Sequence, residues 1–324
     1  MASVLSIEKR PSVYDVYRTT LEPQYRIKAR EELNEHDHIR EPALAQMREF
    51  IAKHPQIVRC RTDAIFLLRF LRSKKFNVMA ATEMLVKHLT FWIREAEFCT
   101  GIDPCVLDPI IQQCAMIPLG QDSYGRLVVS IRLGQFDIET TSAEIQFRLG
   151  CLVLETYVDT EIHQVAGLVA VFDFLGATTN HFVIWTLPKL KVVLDALNNI
   201  TSLRIGEIHV VQLPKYAAAI AEFLIARISE KLKRRIKFHK TPDALKDAID
   251  ESILPTIYGG KQSLEEANEK FRQRAMQERE RLLKQADMFI DLSIPSPNAN
   301  NNTGVHSSVA DEAVIGSFRK LNVD

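Results

Sequence analysis

Residues 215–240 join two chemistries that seldom share one helix-length stretch. Lys215 to Ile228 reads KYAAAIAEFLIARI and is apolar on nearly every side. Glu230 to Lys240 reads EKLKRRIKFHK and carries Lys231, Lys233, Arg234, Arg235, Lys237 and Lys240. A helix that is apolar all round must be buried or must cover something apolar. A basic run suits an anionic surface, whether a membrane leaflet or a nucleic acid. Two arrangements satisfy both halves: a buried helix with a solvated basic end, or an apolar lid hinged beside a phosphate-reading patch.

The rest of the chain narrows the partner. Lysine plus arginine balances aspartate plus glutamate at 41 each, so electrostatic function has to come from local patches. That balance argues against a general nucleic-acid binder. A hydrophobic fraction of 46% over 324 residues can bury a sizeable core, in one large or two modest domains. The cysteines (Cys60, Cys99, Cys105, Cys114 and Cys151) form no CxxC pair, which leaves zinc and thioredoxin-like readings weak. MASVLSIEKR lacks a signal-peptide core, and no run of about 18 apolar residues exists to span a bilayer. A reduced, cytosolic, soluble protein is expected.

Along the chain, residues 1–25 read as a flexible N-terminus, and a helical pattern then runs to residue 97. Glu41–Lys53 is amphipathic, Thr62 is placed to cap TDAIFLLRFLR, and Val78–Ala96 buries Ala81, Met84, Leu85, His88, Phe91 and Trp92. Three helices with short connections predict a small bundle. Asp103-Pro104 and Asp108-Pro109 mark a junction. Strand-like RLVVSIRL (126–133), GLVAVFDFL (167–175) and GEIHVVQL (206–213) then alternate with helices at 142–163, 181–197 and the apolar stretch, before a short strand at 235–239. That alternation predicts a mainly parallel sheet with helical cover. Tyr258-Gly259-Gly260 is expected to close the globular part, followed by a charged helix at 263–288 and a disordered tail from SIPSPNANNNTG to GSFRKLNVD.

Catalytic chemistry is hard to find. There is no GxSxG, no GxxxxGK[ST] and no GxGxxG after a strand, and GGKQS only superficially resembles a phosphate loop. His36-Asp37-His38 has little to recommend it as a metal site in a polar helix start. Asp173 and His209, each within an apolar strand, read as hydrogen-bonded structural groups. Neither a nucleophile–base pair nor a nucleotide cradle emerges, so the expectation is a binding protein, without enzymatic activity, metal or cofactor.

Period-two alternation puts Phe172 and Phe174 on one strand face, and Gly206, Ile208 and Val210 on one face of another. The helical stripe Phe147, Cys151, Leu154 and Val158 can lie over that sheet. With Val183, Trp185, Val193 and Leu197, these exceed what one sheet face needs. A cavity and a packed core both fit this surplus.

DAIFLLRFLRSKKFNV at 63–78, DSYGR at 122–126, FDFLG at 172–176 with His181, IHVVQLP at 208–214, EKLKRRIKFH at 230–239 and LPTIYGG at 254–260 occur in one order. Over residues 30–262 the chain therefore resembles the CRAL-TRIO lipid-transfer family, in the branch of alpha-tocopherol transfer protein and cellular retinaldehyde-binding protein. The resemblance implies an α/β fold whose mainly parallel sheet and helical cover enclose a lipid pocket at 98–262, behind an all-α N-terminal domain at 26–97. It implies a soluble carrier of one small lipophilic molecule such as a tocopherol, retinoid or carotenoid. A lid over about Pro214–Ile228 would present Ile220, Phe223 and Leu224 to the ligand, with Gly150 and Leu203 completing the wall. Carried over position by position, phosphoinositide contacts would be Arg204, Lys231 and Arg235, with Lys233 and Arg69 as further candidates.

Transient docking on endosomal or other anionic membranes follows from the same resemblance. A lipid-regulated adaptor and a phosphatidylinositol-transfer protein are the alternatives. Departures sharpen the expectation. Gly206 stands where the tocopherol branch has a second basic residue, which weakens the headgroup site, and Gln212 and Ile257 replace its usual asparagine and glutamate. Gly150 and Leu154 replace hydroxyl side chains, which makes the pocket more apolar.

Overall fold

The computed structural model describes residues 6–295. The predicted tail from residue 296, including GSFRKLNVD, lies outside the described residues. The chain begins with helices α1 (Pro23–Leu33) and α2 (Asp37–Lys53), a short strand β1 (Ile57–Arg59), and helices α3 (Ala64–Ser73) and α4 (Val78–Arg94). The N-cap of α3 is Asp63 rather than Thr62: its carboxylate accepts the Phe66 amide at 3.2 Å. Between α2, α3 and α4 lies a core of Leu44, Met47, Phe66, Phe70, Leu71 and Leu85. Helix α1 has a different partner. Its narrow stripe of Tyr25, Ala29 and Leu33 packs on Ile162 and Val165, further along the chain.

Next come α5 (Ala96–Cys99), α6 (Pro104–Ile111), β2 (Met116–Gln121) and β3 (Leu127–Arg132), then α7 (Ala143–Tyr157), α8 (Glu161–Ala166), β4 (Leu168–Asp173), α9 (Thr179–Val183) and α10 (Leu187–Asp195). The fold closes with β5 (Ile205–Val211), α11 (Ala218–Arg227), α12 (Glu230–Lys233), β6 (Ile236–His239), α13 (Leu264–Gln277), α14 (Arg279–Ala286) and β7 (Phe289–Ile290). Strands β2-β3-β4-β5-β6 form one sheet in chain order, parallel except for the antiparallel β2–β3 pair. The expected α/β architecture is present.

Two predicted helices are interrupted. The stretch 142–163 breaks between α7 and α8, and the gap turns Asp159 toward the N-terminal helices. The stretch 181–197 breaks before Pro188, which has no amide to donate and therefore sits in the first turn of α10.

Nor does the folded part end at Gly260. Helix α13 lies along edge strand β2 and, with α14, sends Phe271, Ala275 and Leu282 fully into the core beside Leu107, Leu149 and Val153. Strand β7 then returns to pair with β1. The charged sequence hid this because only one face of each helix is apolar. The segment before α1, expected to be flexible, is held by side chains: Lys9 donates to the His54 carbonyl at 2.6 Å, and Asp15 accepts the Ala64 amide at 3.0 Å.

The two sheet faces differ. One is sealed: Val128, Val169, Val171 and Val211 pack against Leu245, Ile249, Leu254 and Tyr258. Asp173 accepts the Tyr258 hydroxyl at 2.8 Å, and His209 lies 2.9 Å from His239 and 3.3 Å from Glu207. Burial pushes His209 and His163 down to about 4 from an ordinary 6.5. Both are neutral in the fold, while the unfolded chain protonates them near pH 6.5. Unfolding therefore takes up protons between these values, and stability falls as pH drops through that window. Urea unfolding at pH 7, 5.5 and 4.5 is expected to show a decline of roughly 1 kcal/mol per pH unit for each fully responding histidine. A flat profile would place these histidines in contact with solvent.

Candidate functional site

The opposite sheet face is less tightly covered. Phe172 and Val210 keep partial access although their strand neighbours are buried, and Ile208, between half-buried Glu207 and buried His209, does so too. Over this face lie α7 and the pair α10–α11. The apolar stretch 215–228 is a short 3-10 turn followed by α11, and only Phe223 and Ile228 of its large side chains are buried. They meet Leu190 and Leu194 of α10, with Trp185, Leu187, Ile220, Leu224, Leu232 and Ile236 packed around them. The Trp185 indole donates to Gln146 of α7 at 3.2 Å, tying the two walls together. At the start of the lid the Phe174 ring stacks on Phe182 with centroids 5.9 Å apart. Tyr216 meets Phe182 edge-on and donates to the Ala177 carbonyl.

On α7, Cys151 is deep in the fold: the neighbouring Cys99 thiol and burial raise its pKa well above the ordinary range. Yet Cys151, Leu154 and Gly150 keep accessible surface. Cys151 packs against Phe91 and Phe98 on one side and, with Leu154, against the Leu149–Phe271 core on the other. Val193 of α10 and Leu197 just after it are likewise half-buried.

Not every expected wall residue is there. Val183 is 71% exposed at the last position of α9, where the chain breaks before α10. Val158 and Leu203 are sealed in the core with Phe271 and Leu282. Phe147 turns toward the N-terminal helices, edge-on to Phe98 at 5.5 Å.

The basic residues also sort themselves. Arg69 is not a headgroup contact: it is 1% exposed and bound to Glu155 at 3.0 Å and Asp159 at 2.5 Å. Arg69 and Arg72 are both buried between α3 and the α7–α8 break, where carboxylates meet them. Arg72 meets Glu35 at 2.8 Å and Glu161 at 2.9 Å, and Arg61 meets Asp63 at 2.9 Å and Asp159 at 2.8 Å. Lys233 pairs with its neighbour Glu230 at 2.7 Å.

Arg204, Lys231 and Arg235 do converge, and Lys75 joins them from the turn after α3: burial and the fields of Arg235, Lys75 and Arg204 lower the Lys231 pKa. Lys75 was not legible, since it lies more than a hundred residues away in sequence. Arg235 donates to the Ile205 carbonyl. Arg204 donates to the Val165 carbonyl and reaches Glu32 of α1 at 3.0 Å. Gly167 makes this approach possible, because a Cβ there would stand 2.2 Å from the Arg204 carbonyl oxygen. At Gly206 the missing cation is partly replaced: Arg126 passes 3.2 Å from where a Cβ would be, held by Asp122 at 2.6 Å.

Among the described residues no group of three or more His, Cys, Asp or Glu is placed to hold a metal ion, and no helix is long and apolar enough to cross a membrane.

The family model described as "CRAL/TRIO domain" matches residues 112–260, from just before β2 to Gly260. Clavesin-1 of Xenopus laevis is 26% identical over 244 residues, covering 74% of this chain and 74% of that protein. Clavesin-2 of Homo sapiens is 28% identical over 246 residues, covering 74% and 75%. A crystal structure of Sfh5 aligns with a TM-score of 0.49 and 11% identity, over 75% of this chain and 98% of that one. With the sheet, its half-open face and the basic corner in place, residues 112–260 are a CRAL/TRIO domain.

Proposed function

We propose that this protein is a carrier rather than a catalyst. It encloses one small hydrophobic molecule between the open sheet face and the α10–α11 lid, and exchanges it at anionic, phosphoinositide-bearing membranes such as endosomes. One observation carries this reading: Phe172, Ile208 and Val210 of the sheet remain partly accessible, while Phe223 and Ile228 anchor the half-exposed apolar helix α11 on α10 beside Ile236 of the edge strand. A domain that needed only a packed core would close this face as it closes the other. The CRAL/TRIO domain supports a lipid as the occupant.

The cargo is apolar over most of its surface, in keeping with tocopherols, retinoids, carotenoids and related molecules. Burying about 300–400 Å² of it contributes on the order of 8–10 kcal/mol before the costs of association. Escape through water is correspondingly slow. At a bilayer the lid's inner face can exchange ligand for acyl chains, so release is coupled to docking.

Lipid extraction of the purified protein followed by mass spectrometry is expected to find one stoichiometric apolar molecule. Phe223→Ala removes a buried anchor from the lid. The variant is expected to lose its co-purified lipid to phosphatidylcholine vesicles about tenfold faster, a small share of the anchor's burial energy. A protein that purifies empty from lipid-rich cells, or an F223A variant with unchanged retention, would overturn the carrier reading.

A further inference from the structure

The basic corner contains an anion of its own. Both terminal nitrogens of Arg204 donate to Glu32 Oε2, at 3.1 and 3.0 Å, and Lys28 holds the other oxygen, Oε1, at 2.6 Å. These two cations press the Glu32 carboxyl below its ordinary range against the opposing effect of burial. The position of Glu32 follows from packing. Tyr25, Ala29 and Leu33 dock α1 on Ile162 and Val165, and the Val165 carbonyl accepts from Arg204 itself. Glu32 and Arg204 are therefore fixed against the same end of α8. Glu31, one residue earlier, is exposed as Glu32 is, so the pairing with Arg204 and Lys28 rather than burial sets Glu32 apart.

We propose that Glu32 is an internal competitor for the headgroup site and sets its selectivity for phosphomonoesters over singly charged lipids. The proposal rests on the anionic-membrane reading above. A ligand gains Arg204 only by offering more than Glu32 already offers at high effective concentration. A phosphodiester or a phosphatidylserine carboxylate brings one negative charge per group, the same as Glu32. A phosphomonoester brings about 1.5 to 2 charges at pH 7 and three acceptor oxygens, and outbids it. Half-exposed ion pairs are individually weak, so the filter acts over several-fold rather than orders of magnitude.

The test uses the full chain and phosphatidylcholine vesicles carrying either a phosphatidylinositol bisphosphate or phosphatidylserine at matched total charge, with binding read by co-sedimentation. Wild type is expected to prefer the bisphosphate vesicles. Glu32→Gln is expected to strengthen phosphatidylserine binding about fivefold, the worth of one charge near an anionic leaflet, and bisphosphate binding less than twofold. The selectivity ratio then collapses. Glu31→Gln removes the same charge from the same helix and controls for net charge; it is expected to leave the ratio where it was. If E32Q and E31Q behave alike, or E32Q leaves the ratio unchanged, Glu32 is an ordinary surface carboxylate and the proposal is wrong. If neither wild type nor E32Q binds either vesicle, the anionic-membrane reading fails and takes this proposal with it.

Discussion

Replacing Asp159 by alanine is expected to destabilise the protein by about 3–5 kcal/mol, as removal of one partner from a buried charge network does. Asp159 receives Arg61 at 2.8 Å, Arg69 at 2.5 Å and Arg281 at 3.1 Å. Those three cations hold its carboxyl far below the ordinary range despite its burial. They also come from separate parts of the chain, with Arg61 and Arg69 in and before α3 and Arg281 on α14. Without Asp159 the guanidiniums would face one another in a poorly solvated seam, with Glu155, Asp63 and the more exposed Glu278 left to offset them.

Urea unfolding at neutral pH checks the value. The exposed Lys53–Glu49 pair is the contrast: at 2.5 Å it is as short, yet water screens it, so Glu49→Gln is expected to leave the midpoint unchanged. Should D159A cost no more than E49Q, the seam is solvated and the network is not what joins the N-terminal helices to the CRAL/TRIO domain. Acid works in the same direction as the mutation. The Glu155, Asp159 and Glu161 carboxyls are all held low, so their contribution is present above the ordinary carboxylate range and is lost as pH falls through their folded values.

The second large effect is at the membrane. Lys231→Glu with Arg235→Glu changes the charge facing an anionic leaflet by four. At about 1 kcal/mol per charge, vesicle affinity is expected to fall roughly a thousandfold. The co-purified lipid should stay bound, because neither residue belongs to the lid contacts of Phe223, Leu190 and Leu194. Arg235 also donates to the Ile205 carbonyl, so K231E alone is the cleaner probe, with an expected loss of about thirtyfold. Co-sedimentation with anionic vesicles at physiological salt, alongside a melting curve, reads both. Docking that survives the double change would move the membrane contact to another face of the molecule.

Much of the CRAL/TRIO domain was legible. Hydrophobic runs located β3, β4, β5 and β6, and the motif order identified the domain, because strand periodicity and turn chemistry are local properties. Strand β2 escaped notice because MIPLGQ carries a proline and a glycine, which an edge strand tolerates. Helix α1 was missed since its buried positions are a single residue per turn in a charged sequence. Among site residues, Val183 and Arg69 were misplaced for one reason. Composition shows that a side chain is apolar or charged, but the break in a helix decides which way it points.

By itself the sequence determined the alternation of strands and helices, the apolar stretch with its basic neighbour, and the motif order of a CRAL/TRIO domain, all of which are written in short contiguous segments. The tertiary structure alone decided which arginines are free. Arg69, Arg72 and Arg61 look like surface cations in one dimension and are buried against Glu155, Glu35 and Asp159 in three. It also brought Lys75 and Glu32 to Arg204 and Lys231, across separations of 129 to 199 residues in the chain. A charge's role depends on its solvent and its neighbours, and folding sets both.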